Sequence, residues 1–90
     1  MKETQGKRIE IEKDFMHVCE TDFKPGEYGF TADNAFYAML PNGDITYLPE
    51  RLWKIEIHDD YTISCTPSIV SNGPNGYWHG YLTKGVWKEI

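Results

Sequence analysis

The stretch from Asn75 to Trp87, Asn-Gly-Tyr-Trp-His-Gly-Tyr-Leu-Thr-Lys-Gly-Val-Trp, constrains the fold of this chain more than any other. It reads as two short aromatic strands around a tight turn at Thr83-Lys84-Gly85. Successive side chains of a strand point to opposite faces. Tyr77, His79 and Tyr81 therefore share one face, and Trp78, Gly80 and Leu82 share the other. The Trp/Leu side is expected in the core. The Tyr-His-Tyr side is free to meet water or a partner.

The rest of the chain repeats this pattern. Residues 1–6 are polar and expected to be frayed. Lys7 to Asp14 alternates, with Ile9 and Ile11 on one side and Arg8, Glu10 and Glu12 on the other, as a half-buried strand does. Phe15 to Cys19 either continues that strand after a bend or forms a second one. Pro25-Gly26 marks a loop, and Tyr28–Thr31 is short enough for a brief strand. Asn42-Gly43 lies between Ala35–Leu40 and Ile45–Leu48, and both residues tolerate positive φ, which predicts a hairpin. A helix over 32–40 is the alternative, since Ala, Met and Leu favour helices. After Pro49, a second hairpin joins Trp53–His58 to Tyr61–Cys65 through Asp59-Asp60. Pro67 lacks the N–H of a central ladder position. Ser71 to Gly76 is rich in turn formers and reads as a loop. The count is six to eight short strands, which predicts a mostly β fold. Residues 1–90 then form a single small antiparallel β-sandwich, roll or barrel.

Charge narrows the partners. The net charge is −5, and between Glu20 and Glu50 six acids stand against one base, Lys24. Sequence-independent contact with phosphate backbones needs clustered Lys and Arg, so no direct nucleic-acid binding is expected. A basic partner suits an acidic surface that includes Asp33 and Asp44. The two cysteines, Cys19 and Cys65, make no disulfide framework. The first dozen residues are charged and read as no signal peptide. No apolar run has the length of a membrane span. A cytoplasmic location with free thiols follows as the expectation.

Four kinds of chemistry fit the residue types. A zinc site would take His17, Cys19, Cys65 and His79 as two imidazoles and two thiolates; the i, i+2 spacing puts His17 and Cys19 on one face of a strand, but Cys65 and His79 are single residues without a paired knuckle. No metal or cofactor is expected. A nucleophile would be Cys65 or Ser68 with His79 and an acid such as Asp59 or Asp60. No nucleophile elbow surrounds them, and a non-enzymatic protein is expected. His58-Asp59-Asp60 is ordinary turn chemistry. A stacking surface for a nucleotide would use Tyr77, His79 and Tyr81, with Tyr28, Tyr37 and Tyr47 as further aromatics. A protein-binding face would use the same row with Asn75, Trp78, Tyr47, Asp33 and Asp44, because interfaces are enriched in Tyr and Trp.

Thr66-Pro67-Ser68-Ile69, a Gly/Asn loop, Tyr77-Trp78-His79-Gly80-Tyr81-Leu82 and Gly85-Val86-Trp87 resemble the C-terminal signature of a small uncharacterised family common in phage and prophage genomes. Its members carry a Pro-Ser-Ile element, an aromatic–His segment, a hydrophobic pair, and a Gly before an apolar residue and often Trp. Many relatives also carry a Cys-Pro-Cys-Gly-Cys cluster near the N-terminus. Here residues 15–22 stand at the comparable place, and only Cys19 matches. The resemblance implies a phage or mobile-element accessory protein in the bacterial cytosol. Such a protein would inhibit a host defence component in an anti-CRISPR-like manner, by capping a defence protein or sequestering a nucleotide signal. For sequestration, a homo-oligomer interface would enclose the pocket.

Overall fold

The computed structural model describes residues 2–90, which form nine strands in two sheets. These are β1 (Lys2–Gln5), β2 (Lys7–Arg8), β3 (Glu27–Phe30), β4 (Phe36–Met39), β5 (Ile45–Tyr47), β6 (Lys54–Ile57), β7 (Ile63–Gly73), β8 (Gly76–Thr83) and β9 (Val86–Glu89). The five-stranded sheet runs β1-β9-β8-β7-β6 and is antiparallel throughout. The four-stranded sheet runs β2-β3-β4-β5, with β2 parallel to β3. A single 3-10 turn, Val18–Glu20, is the only helical element among the described residues. The fold is mostly β, a small sandwich.

One core joins the two sheets. Tyr28, Phe36 and Ala38 from the smaller sheet meet Ile63, Cys65, Ile69, Trp78, Leu82 and Trp87 from the larger. Each is an inward position of a period-2 strand, and each fully buried large side chain contributes roughly 1.5–3 kcal/mol. Trp78 and Trp87 pack edge to face at 5.6 Å. The β8–β9 turn is tighter than expected. Thr83 still pairs with Val86, so Lys84 and Gly85 alone make the loop. Both have positive φ, 46° and 78°, as a two-residue hairpin that follows the sheet twist requires.

The N-terminal residues are ordered, contrary to expectation; Met1 itself lies outside the described residues. β1 pairs with β9 from Lys2↔Glu89 to Gln5↔Val86. At Gly6 the chain crosses to the other sheet and becomes β2. The Gly6 N–H donates to the Gly85 carbonyl at 2.8 Å, and the Lys7 N–H donates to the Gly26 carbonyl at 3.2 Å. A Cβ on Gly6 would lie 2.5 Å from the Gly85 oxygen, so only glycine fits this crossing. Polar composition hid this strand, because an edge strand buries its backbone bonds while its side chains stay in water.

Further expectations are corrected. The strand expected over 7–14 stops at Arg8, and the chain from Ile9 to Lys24 lies over the outer side of the four-stranded sheet. There Ile11, Val18 and Phe23 form a second small core with Ile9, Tyr37 and Met39. The alternation marked the buried side correctly, but that side covers a sheet and does not extend one. β7 runs straight through Pro67, because a bulge between Cys65 and Ile69 leaves the proline without a ladder partner. The expected loop over 71–76 shrinks to Pro74-Asn75, with Gly73 paired to Gly76. The helix alternative over 32–40 gives way to β4, registered Tyr37↔Tyr47 and Met39↔Ile45.

The two tryptophans predict a contrast. The Trp87 Nε1–H donates to the Gly26 carbonyl at 2.9 Å, whereas the buried Trp78 Nε1 has no partner. Trp87→Phe should cost about 1–2 kcal/mol more than Trp78→Phe in urea unfolding, since only the first loses a made bond. Equal losses would refute this assignment.

Candidate interaction surface

β8 is flanked on both sides, by β7 and β9, so its outward side chains stand on a supported strand. Tyr77 is 64% exposed and Tyr81 37%, while Trp78 and Leu82 beneath them are buried. The outward row of Tyr77, His79 and Tyr81 is therefore open to solvent, as the alternation predicts. Register adds neighbours on the same side. Val70 lies opposite His79, Asn72 opposite Tyr77, and Lys88 opposite Tyr81. Val70 is 57% exposed. His79 Nε2 meets Ser68 Oγ at 3.0 Å, and its ring stands edge-on to Tyr77 at 6.4 Å. The result is an aromatic and aliphatic patch around a half-buried Ser–His pair. Glu3 and Glu56 share this outer side with Lys54 and Lys88, so the face is balanced in charge.

The other predicted site residues do not join it. Trp78 is a core residue, turned inward by the same alternation that exposes Tyr77. Asp44 is buried rather than a surface acid. Its carboxylate accepts the Asn75 N–H at 3.2 Å, which ties the β4–β5 turn of one sheet to the β7–β8 turn of the other. Asn75 is thus engaged through its backbone at one end of the sandwich. Asp33 is exposed, but its carboxylate accepts the Thr31 hydroxyl and the Phe15 N–H. Tyr47 stacks on Tyr37 at 5.0 Å on the outer side of the four-stranded sheet. Tyr28 is in the core, and burial raises its hydroxyl above the usual range.

The expected acidic, tyrosine-rich surface is therefore two surfaces. Glu10, Glu12, Glu20 and Asp22 cluster on the segment that covers the four-stranded sheet. The Tyr77–His79–Tyr81 row faces away from them, on the outside of the five-stranded sheet. Counting acids along the chain could not show this, because the sheets turn consecutive segments to opposite sides. Nor does the sequence mark Val70, which the bulge at Pro67 brings into register with His79.

The metal set separates, and of the nucleophile set only Ser68 and His79 meet. His17 and Cys19 lie in the segment over the four-stranded sheet, Cys65 is in the core, and His79 points outward. No group of three metal-ligating side chains forms among the described residues. His17 is paired with Asp14 at 2.7 Å. That hydrogen bond chiefly raises the imidazole and lowers the carboxyl from their ordinary values. Among the described residues this is the only carboxylate–imidazole pair, so the Ser68–His79 pair lacks an orienting acid. His58 Nε2 meets Ser64 Oγ at 2.7 Å, and Asp60 accepts from the Thr62 N–H and hydroxyl, which are turn-holding contacts. Among the described residues, no helix is long and apolar enough to cross a membrane.

Two outcomes follow. Asp44→Ala should lower stability by about 1–3 kcal/mol in urea unfolding, because it leaves the Asn75 N–H without its acceptor. An unchanged midpoint would remove the tie between the turns. A thiol reagent should label Cys19 in the folded protein and Cys65 only after unfolding, since burial raises the Cys65 thiol to about 12. Equal native rates, measured with Cys19→Ser as the control, would contradict this.

No family model matches the chain, and no curated protein or solved structure matches it.

Proposed function

We propose that this chain is a non-enzymatic binding domain that caps a protein partner through the outer face of its five-stranded sheet. The observation that carries the reading is the solvent-facing row of Tyr77, His79 and Tyr81 with Val70, set on strands whose other side is core. Tyrosines offer large contact area at small conformational cost, and the core beneath holds their backbone in place. An open sheet face suits a protein surface better than a small molecule, which needs enclosure. Sequestration of a nucleotide signal would require a second copy to close the row, and no observation favours it. The dispersed Cys and His residues likewise leave a metal-dependent hydrolase without support.

The resemblance to phage and prophage proteins supplies the kind of partner: a host defence protein in the bacterial cytosol, inhibited by the capping. Electrostatic steering has no part in this capping, because Lys54 and Lys88 balance Glu3 and Glu56 on the docking face and the cluster of Glu10, Glu12, Glu20 and Asp22 lies on the other side.

The test compares capture of defence proteins from the lysate of a defence-carrying bacterium by wild type and variants. Tyr77→Ala with Tyr81→Ala should weaken capture by about 100-fold or more, the scale of an interface hot spot, with no change in the unfolding midpoint. Glu20→Lys with Asp22→Lys should leave capture intact. Capture insensitive to the tyrosines, or abolished by the charge reversal, would overturn the assignment.

A further inference from the structure

We propose that a cavity where β2 leaves the four-stranded sheet binds a small zwitterion with an apolar body, an α-amino acid. The site is separate from the tyrosine face and does not depend on it.

The cavity arises from an interruption of the ladder. The Ile9 N–H donates to the Tyr28 carbonyl at 2.8 Å, and the next bond to this side of the chain is the Ala32 N–H to the Lys13 carbonyl at 3.0 Å. Between them residues 10–12 part from β3 and leave a hollow of about 340 Å³. That is the lower end of the size range for small-molecule sites, roughly 300–1,000 Å³.

Its walls are chemically divided. Arg8 lies 3.7 Å over the Tyr61 ring and 5.7 Å from the Phe30 ring centre. Its Nη1 donates to the Tyr61 carbonyl at 3.2 Å. A guanidinium carries five N–H donors, and Arg8 belongs to no ion pair among the described residues. Donors remain for a carboxylate, which a guanidinium fork matches in two-pronged geometry. Glu10 and Glu12 also line the hollow, and Phe30 and Ala32 supply apolar surface. Two carboxylates beside one guanidinium oppose a phosphate or dianion. A ligand with one carboxylate and one ammonium satisfies both signs, and its side chain fills the apolar part.

Tyr61 strengthens the assignment. Its φ is +75°, a left-handed conformation that a bulky side chain adopts only when its surroundings hold it. The hairpin turn sets this conformation, with the Tyr61 N–H donating to the His58 carbonyl and the His58 N–H to the Thr62 carbonyl, each at 2.9 Å, and Arg8 stacks on the ring and bonds the carbonyl of the same residue. The guanidinium and the ring are thereby fixed against each other before any ligand arrives.

The test is a titration of backbone amide resonances with three probes: L-phenylalanine, 3-phenylpropionate without the ammonium, and phenethylamine without the carboxylate. L-phenylalanine should shift residues around Arg8 and Tyr61 saturably, in the low-millimolar range, and each half-molecule should bind about tenfold more weakly or worse. Arg8→Gln should abolish the shifts. Because Arg8 also braces the Tyr61 turn, a second variant is needed. Glu10→Gln with Glu12→Gln should weaken L-phenylalanine about tenfold and leave 3-phenylpropionate unweakened. No saturable shift with L-phenylalanine, 3-phenylpropionate binding as tightly as L-phenylalanine, or binding indifferent to the glutamate variant would overturn the proposal.

Discussion

Everything in this sandwich depends on one crowded corner, where Gly6, Gly26, Gly85 and Trp87 meet. The Gly26 carbonyl accepts from both the Lys7 N–H and the Trp87 indole, and the Gly85 carbonyl accepts from Gly6. These bonds let a single N-terminal segment serve as an edge strand in both sheets. The geometry leaves no room for a Cβ at Gly6, and it places an indole N–H against backbone from the opposite sheet. A small domain has little core to spare, so fastening its sheets by shared backbone offsets some of what a larger interior would supply.

The opposite end of the sandwich is closed differently. There Asp44 holds the Asn75 N–H, and Gly73 packs against the same carboxylate. Between these two fastenings β8 lies at the middle of its sheet, with tryptophan and leucine below and tyrosines above. Recognition by such a face needs no moving parts. The core fixes the strand, the strand fixes the spacing of Tyr77, His79 and Tyr81, and the bulge at Pro67 sets what lies beside them. Several acids that make the chain acidic are meanwhile engaged with backbone N–H groups: Asp33 with Phe15, Asp44 with Asn75, and Glu27 with Lys24. These carboxylates keep their charge, but their oxygens are committed to holding turns.

The local rules of the sequence were legible wherever neighbours along the chain decide the outcome. Alternation in 77–82 states which side is buried, and Asn42-Gly43, Asp59-Asp60 and Lys84-Gly85 place the hairpins. The same rules misjudged Lys2–Gln5 and Ser71–Gly73, because pairing there depends on a partner strand. A polar segment joins a ladder when backbone groups across from it need donors and acceptors, and nothing in the segment itself announces that.

What the amino-acid sequence determined by itself is the class of fold and the two-sidedness of its last ribbon, since both follow from side-chain period and turn residues a few positions apart. What only the tertiary structure decided is which surfaces coincide. Tyr47 and Asp33 went to one side of the sandwich and Tyr77 and Tyr81 to the other, while Arg8 came to rest on Tyr61, far away along the chain. The reason is physical: each strand buries one face, but which sheet supplies the cover depends on the packing of the whole chain at once.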